Sequence, residues 1–422
     1  MDMLHEPDIY MSSPKRSRHF FIYIWIMYAM VYMTRNCFSS AMAQIVAQGV
    51  FTKSQTGLIT ATFYAVYAPL QVPGGILADK YNPERLVQIG LLSAATANMI
   101  IFFNHNYYVI LVVWVLGAIV QAPLWPSVFK IISSQMSKTE RPKMVFLISF
   151  GTTFGLLVGY VIAAFIPSWE YNFAVSAVVL IILAVLMYEL CIHYGEYVKR
   201  PDGGHQTKTV QENNGNVNTL GLFARSGFLF LLPSVFFRNA IENGAKTLSP
   251  TMLMECYENV SSSIGNLLNI FIIVAGLAGL VVAKVLIYPR LIKNEVGGIC
   301  FMLIACMPFL AALKLVGIIP VGGAVISLCG VTFTTTITHM FMMYFFTYFS
   351  QYGKNATAAG LVNSLASIGV VASSYGMTRV AELFGWNAVT TLWIIMMAIA
   401  IAFSVVAIPL ATRFKNSLPK QV

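Results

Sequence analysis

Charged side chains are scarce in this sequence. Only 10% of its 422 residues are Asp, Glu, Lys or Arg, whereas 58% are hydrophobic. A soluble globular domain carries about 25% charged residues, so this composition excludes an ordinary soluble fold. Long apolar runs separated by short polar segments instead predict a polytopic membrane protein, and the length accommodates about twelve spanning helices with short loops.

Cysteine is also scarce, with six residues in the chain. These residues lie in or near apolar segments without paired spacing, which predicts neither a disulfide framework nor a metal site. The chain also lacks a Walker motif, a zinc-binding motif and a Ser/His/Asp arrangement. We therefore expect neither an enzyme nor an ATP-driven pump, and no bound cofactor or metal.

Acidic residues are outnumbered by basic ones, 16 to 26, which gives a formal net charge of +10. Most Lys and Arg residues lie in alternate loops, as the positive-inside rule requires, so the excess does not indicate nucleic-acid binding. The polar start, with Lys15, Arg16 and Arg18 before the first apolar run, is not typical of a cleavable signal peptide. We expect an integral protein of a bacterial cell membrane, with both termini facing the cytoplasm.

One long polar segment, rich in Gly and Asn, divides the apolar chain into halves of similar size. Each half has a Trp in the turn after its fifth apolar segment, Trp169 and Trp386. These features predict an all-α, monomeric membrane protein with about twelve transmembrane helices in two pseudo-symmetric six-helix bundles and a site at the midplane between them. The predicted parts are a cytoplasmic tail (1–18), the N-terminal bundle (19–194), a cytoplasmic linker (195–225), the C-terminal bundle (226–412) and a second tail (413–422).

The first apolar run, residues 22–43, contains Arg35. A charge near the centre of a spanning helix costs about 2.5–3.5 kcal/mol, so Arg35 requires a partner or a water-filled cavity. Tyr28 and Tyr32 precede it by two turns and one turn on the same helical face. A cation flanked by two phenol hydroxyls suits an anionic ligand. In the alternative interpretation, Arg35 reaches a nearby interface or forms a structural salt bridge.

A second charged face is predicted in the seventh span, residues 228–253. Arg238, Glu242 and Lys246 are spaced four residues apart and lie on one side of a helix. Glu242 offsets one of the two cations, so one positive charge remains for a ligand. Alternatively, the three residues form an ion-pair ladder that only stabilises the protein. Ser249 and Pro250 follow this face and predict a bent or broken helix, as is common at the central site of transporters.

Other polar residues within spans are weaker candidates for the binding site. Gln121, Trp125 and Pro126 in the fourth span either line a cavity or pack around a bend, and the sequence favours neither interpretation. His339 follows a run of Thr residues whose hydroxyls often satisfy the backbone, so its contact with a ligand or proton is a secondary hypothesis. Asn363 in the eleventh span is expected to face a cavity.

The loop after the second span carries a family resemblance. Gly75, Asp79, Lys80 and Arg85 follow the second span in the order that is typical of the cytoplasmic loop of the major facilitator superfamily. The chain resembles this superfamily, and the resemblance implies that Asp79, Lys80 and Arg85 form part of a cytoplasmic gate. It also implies a secondary transporter that works by alternating access.

A finer resemblance is to the organophosphate:phosphate antiporter branch. It rests on the patterns Tyr28-x3-Tyr32-x2-Arg35 and Gln121-x3-Trp125-Pro126. This branch includes the glycerol phosphate and hexose phosphate transporters, so the resemblance implies that Arg35 binds phosphate. The sequence departs from the branch at three places. Gln71 replaces a Lys of the second span, and Thr152 or Thr153 stands where the branch has a His in the fifth span. Glu242 occupies the position of an Arg, with Arg238 one turn earlier.

The leading hypothesis is a secondary transporter of a small organic anion, an organophosphate or a related solute. Arg35 binds the anion with Tyr28, Tyr32 and Gln71, and the charged face of the seventh span completes the site. The coupling ion is phosphate or a proton. One alternative is a proton-coupled symporter of a carboxylate or sugar acid that uses Glu242. A remote alternative is a transporter-like anion sensor that signals through the linker.

Overall fold

The computed structural model describes residues 14–135, 141–166, 168–195, 219–287, 294–352 and 354–418. The regular elements in these residues are all helical, which confirms the predicted all-α class. The α-helices are α1 (Pro14–Arg35), α2 (Cys37–Ala47), α3 (Lys53–Lys80), α4 (Pro83–Phe103), α5 (Tyr107–Gln121), α6 (Leu124–Gln135), α7 (Arg141–Phe165), α8 (Trp169–Gly195), α9 (Thr219–Arg225), α10 (Phe228–Thr247), α11 (Ser249–Cys256), α12 (Ser262–Val282), α13 (Glu295–Leu313), α14 (Val321–Phe346), α15 (Asn355–Val371), α16 (Thr378–Phe384) and α17 (Trp386–Ser417).

Seven stretches of the described chain are long and apolar enough to cross a membrane, or eight if α9 and α10, bent by 77°, form one span. The seven are Pro83–Phe103, Tyr107–Ile132, Trp169–Glu189, Ser262–Val285, Glu295–Leu313, Val321–Phe345 and Trp386–Ser417. They correspond to the third, fourth, sixth, eighth, ninth, tenth and twelfth predicted spans. The remaining predicted spans also coincide with helices, namely α1 with α2, α3, α7, α10 with α11, and α15.

The described residues fall into two compact units. The first lies within Met1–Cys37, Val66–Ile162 and Ser168–His205, and the second lies within Phe38–Ala65, Ala163–Pro167 and Gln206–Val422. The predicted bundles are contiguous in sequence, whereas these units are not.

Hydrogen bonds within the second unit show why residues 38–65 belong to it. Gln44 donates from Nε2 to the carbonyl oxygen of Ala163 (2.7 Å). Lys53 forms an ion pair with Glu255 (2.7 Å), and the backbone N–H of Ser54 donates to Glu382 (3.1 Å).

Helices extend into three segments that were predicted to be tails or linker. Residues 14–18 begin α1, and α17 continues to Ser417. Residues 219–225 form α9 because Phe223 is buried against Phe228 and Phe349, with ring centroids 4.8 and 5.1 Å apart. The predictions for residues 1–13, 196–218 and 419–422 lie outside the described residues.

Two helix breaks lie beside the predicted charged residues. The first apolar run was predicted as one helix, but α1 ends at Arg35 and α2 begins at Cys37. The side chain of Asn36 donates to the carbonyl oxygen of Tyr32 (2.7 Å), and such bonds compete with regular helical bonding. The break between α10 and α11 falls at Leu248, immediately before Ser249 and Pro250 as predicted.

Candidate functional site

The first candidate cluster surrounds Arg35 at the last turn of α1, where the helix dipole favours a cation. Arg35 is only 2% exposed, and its Nε donates to Oε1 of Gln121 on α5 (3.1 Å). Its guanidinium lies 4.4 Å from the ring centroid of Tyr67 and 5.3 Å from that of Tyr32. These three side chains contact the guanidinium, and a guanidinium is a group that recognises anions.

An aromatic layer extends this cluster along α1. Tyr28 is buried, and its ring centroid lies 5.1 Å from Tyr32 and 5.0 Å from Trp125 on α6. The predicted common face of Tyr28, Tyr32 and Arg35 is therefore present. Trp125 packs in this layer, and the turn between α5 and α6 falls at Ala122 and Pro123 rather than at Pro126.

Tyr67 on α3 is a residue of this cluster that the sequence analysis missed. It precedes the half-buried Gln71 by four residues, so both project from one side of α3. That spacing is a signal that sequence reasoning had available. Further along α3, a Cβ on Gly74 would lie 2.9 Å from the backbone of Ala122 and Pro123. Gly74 thus permits the close approach that brings α3 to the α5–α6 break.

The second candidate cluster is the predicted charged face of α10. Glu242 accepts hydrogen bonds from Arg238 Nη1 and from Lys246 Nζ (2.5 Å), so the three residues form an ion-pair ladder. Thr336 of α14 also donates to Glu242 (3.2 Å), and Arg238 donates to the carbonyl oxygen of Thr335 (3.2 Å). The ladder has a formal charge of +1. Additional hydrogen bonds of this kind offset the desolvation of a buried ion pair.

His339 lies near the ladder, within the second unit. A small cavity there has a polar lining of Ser234, Arg238, Thr338 and His339. Val235, Ile299, Met342 and Val362 complete its wall. Arg238 therefore faces both the cavity and Glu242. The cavity is the feature that connects His339 to the charged face of α10.

Several predicted residues lie apart from these two clusters. Asn363 is exposed on α15, and its described hydrogen bond involves its backbone carbonyl, which accepts from Ser367 (3.0 Å). Lys80 and Arg85 are exposed at the turn between α3 and α4, and the side chain of Asp79 lies outside the described structure. Asn82 caps α4 by accepting from the N–H groups of Glu84 (2.9 Å) and Arg85 (3.2 Å). The turn is thus well defined, and its gating role stays a prediction.

Metal ligands do not cluster in the part of the chain that the structure describes. No group of three or more His, Cys, Asp or Glu residues there has the arrangement needed to hold a metal ion. The two clusters instead combine the carboxylate of Glu242 with donors of the guanidinium, ammonium, hydroxyl and amide types. Such donors bind anions through charge-assisted hydrogen bonds.

Residues 24–374 match the family model of the Major Facilitator Superfamily. The chain therefore belongs to this superfamily and is an integral membrane protein, as the sequence predicts. Over its length it shares its fold with a D-xylose-proton symporter of known structure, with a TM-score of 0.73, 14% identity, and coverage of 96% of this chain and 100% of that one. Membership of this superfamily agrees with the expectation that the protein is not an enzyme.

Two relatives support the finer resemblance to the organophosphate branch. The membrane sensor protein UhpC of Escherichia coli (strain K12) is 33% identical over 124 residues, 29% of this chain and 28% of that protein. A probable hexose phosphate transport protein of Chlamydia trachomatis serovar D is 27% identical over 121 residues, 29% of this chain and 26% of that protein. The chain thus matches less than a third of the length of either relative.

Proposed function

We propose that the protein transports a small organic anion of the organophosphate class across the membrane by alternating access, with Arg35 as the primary anion-binding residue. The observation that carries this proposal is the burial of Arg35, whose Nε donates to Gln121 and whose guanidinium lies over the ring of Tyr67. The named function of the Chlamydia relative, hexose phosphate transport, supports the choice of solute class.

The chemistry of Arg35 suits a phosphate or carboxylate group. A guanidinium stays charged at any physiological pH and offers a planar set of donors that matches the oxygens of these anions. Hydrogen bonds to charged groups contribute about 1.5–3 kcal/mol each. In this proposal the hydroxyls of Tyr28 and Tyr32 and the amide of Gln71 add neutral donors to the solute.

The ladder on α10 is the second anion-binding part of the proposed site. Arg238 and Lys246 share one carboxylate, Glu242, so the ladder retains one positive charge. In this proposal, an incoming anion replaces Glu242 as the partner of one of the two cations. Phosphate is the expected counter-substrate, because a site that accepts an organophosphate also accepts inorganic phosphate, and the cycle is then an exchange.

Uptake into proteoliposomes tests the role of Arg35. Arg35→Ala should abolish the uptake of glucose 6-phosphate and glycerol 3-phosphate without lowering the folded yield, and Arg35→Lys should retain a small fraction. Arg225→Ala, at an exposed cation, is the matched control and should transport normally. Full uptake by Arg35→Ala would reject the proposed site.

The coupling ion is tested separately. Counterflow driven by internal phosphate supports exchange. Uptake that is driven by a pH gradient and lost in Glu242→Gln would instead support proton-coupled symport of a carboxylate or sugar acid. A panel of phosphorylated and carboxylated solutes, compared by ligand-induced thermal stabilisation, ranks the two solute classes.

A second candidate function is supported by the match to UhpC, which is named a membrane sensor. A sensor would bind the anion at the same residues and signal through the segment around residues 195–225. Ligand binding that depends on Arg35, together with the absence of flux in proteoliposomes, would favour this function over transport.

A further inference from the structure

The break between α10 and α11 leaves the backbone carbonyl of Lys246 without its helical hydrogen-bond donor. In a regular helix this oxygen would accept from the N–H four residues later, but residue 250 is Pro and has no N–H. The side chain of Asn269 on α12 occupies this role, because its Nδ2 donates to the carbonyl oxygen of Lys246 (2.8 Å). The interaction thus replaces the helical hydrogen bond that Pro250 removes.

Asn269 is itself held in one orientation. Ser249 donates from Oγ to Oδ1 of Asn269 (2.7 Å), so both ends of the amide are used. Asn269 is 0% exposed and Ser249 is 1% exposed. A buried amide with both ends bonded cannot rotate without losing two hydrogen bonds, so it fixes the backbone at the break.

Two glycines allow α12 to lie against the break and against the side chain of Lys246. A Cβ on Gly265 would come within 2.8 Å of the carbonyl oxygen of Pro250. A Cβ on Gly276 would lie 3.3 Å from Cε of Lys246 and 3.5 Å from its Nζ. The backbone and the side chain of Lys246 therefore both lie against α12. The end of the same side chain, Nζ, pairs with Glu242 (2.5 Å).

We propose that Asn269 is a positioning residue for the ion-pair ladder. By replacing the hydrogen bond lost to Pro250, it sets the direction in which Lys246 leaves the end of α10 and thereby keeps Lys246 on Glu242. This inference deepens the proposed function, since the ladder is the part of the second unit that meets the anion. The positioning itself does not depend on which solute is carried.

The first test measures the thermal unfolding midpoint of the detergent-solubilised full chain in three backgrounds. Asn269→Ala should lower the midpoint in the wild type. Asn269→Ala should lower the midpoint less in the Pro250→Ala background, because the introduced alanine supplies an N–H for the carbonyl oxygen of Lys246. Its effect should also be smaller in the Lys246→Gln background, because the ion pair is already weakened there. An equal loss in all three backgrounds would overturn the proposal.

Asn98→Ala is the matched control for this test. Asn98 is also a buried amide that donates to a carbonyl, that of Ala94 (2.7 Å), but it lies on α4 in the first unit. Its effect should be the same in the wild type, in Pro250→Ala and in Lys246→Gln. If the effect of Asn98→Ala also became smaller in the two variant backgrounds, the coupling between the substitutions would be general, and the specific role of Asn269 would be rejected.

Uptake of glucose 6-phosphate provides a second readout. Asn269→Ala should raise KM about tenfold, equivalent to about 1.4 kcal/mol, with a smaller change in maximal rate, and should add little in the Lys246→Gln background. A tenfold effect in both backgrounds would reject positioning of Lys246. If the wild type shows neither uptake nor binding of this solute, the proposed function fails, and the unfolding measurements alone decide the role of Asn269.

Discussion

Replacing the charges of the α10 ladder singly or together separates a binding role from a structural one. Glu242 is the common partner of Arg238 and Lys246, and the charged ends of all three are largely buried, with side-chain exposures of 13%, 4% and 12% respectively. Glu242→Gln leaves two cations without their shared carboxylate. Breaking a buried ion pair by removing one partner costs about 3–5 kcal/mol. The free energy of unfolding of this variant should therefore be much lower than that of the wild type.

The triple variant Arg238→Met, Glu242→Leu and Lys246→Met should behave differently. Replacing a whole buried ion-pair cluster by apolar side chains of similar volume is neutral or stabilising by about 1–4 kcal/mol. The triple variant should therefore fold at least as well as the wild type. It should not transport if the proposed role of the ladder is right, because the positive charge that the ladder is proposed to offer the anion is gone.

The assay combines a denaturation curve in detergent with uptake into proteoliposomes for the same preparations. A Glu242→Gln variant as stable as the wild type would refute the claim that the carboxylate compensates the two cations. A triple variant that folds and transports normally would show that transport does not need the charges of the ladder. Thr334→Ala is the control for general disturbance of α14, because Thr334 donates to the carbonyl oxygen of Gly330 (2.8 Å) and the change keeps all three charges. This control should retain uptake.

Three further predictions follow from individual contacts. Gln121→Ala removes the acceptor of Arg35 Nε (3.1 Å) and should weaken anion binding about tenfold or more, as measured by ligand-induced thermal stabilisation. Hydrogen bonds from Ser54 lower the pKa of Glu382 below its ordinary value of 4.5. The stability from this contact is present above pH 4.5 and is lost as the pH falls through the lowered pKa, so unfolding midpoints should show this acid dependence in the wild type but not in Glu382→Gln. Gly155→Val should lower the unfolding midpoint by overpacking, because a Cβ there would overlap the backbone carbonyl oxygen of Ala29 on α1.

Each of these predictions has a matched control. Asn98→Ala removes a buried amide without touching Arg35, and binding should be unchanged. Glu258→Gln changes an exposed carboxylate and should leave the acid dependence intact. Gly75→Ala adds a methyl group where no atom lies within 4 Å, so stability should not fall. A control that changed as much as its partner variant would refute the corresponding assignment.

Local features of the fold were predictable because local chemistry determines them. The spacing of Arg238, Glu242 and Lys246 placed three charges on one helical face, and the structure has the resulting ion pairs. The position of Ser249 and Pro250 predicted the break after α10, since Pro removes a backbone donor. Neither inference required knowledge of the neighbouring helices.

The tertiary partners of these residues were not predictable in the same way. The contact of Arg35 with Tyr67 and the bond from Asn269 to Lys246 each join different helices. A helical period shows which residues share a face, but it does not show which faces of two helices meet. The break at Asn36 was missed for another reason, because the side-chain bond to Tyr32 competes with the helix only weakly and leaves no Pro or Gly signal.

A transporter and a sensor of this superfamily would need the same anion-binding residues, because both must recognise the solute before anything else happens. Loss of binding in an Arg35 variant therefore supports the site but does not distinguish the two functions. Flux distinguishes them, because only a transporter must release the anion on the other side of the membrane. If the wild type binds glucose 6-phosphate through Arg35 and accumulates none in proteoliposomes preloaded with phosphate or energised by a pH gradient, the match to the sensor UhpC outweighs the match to the hexose phosphate transport protein.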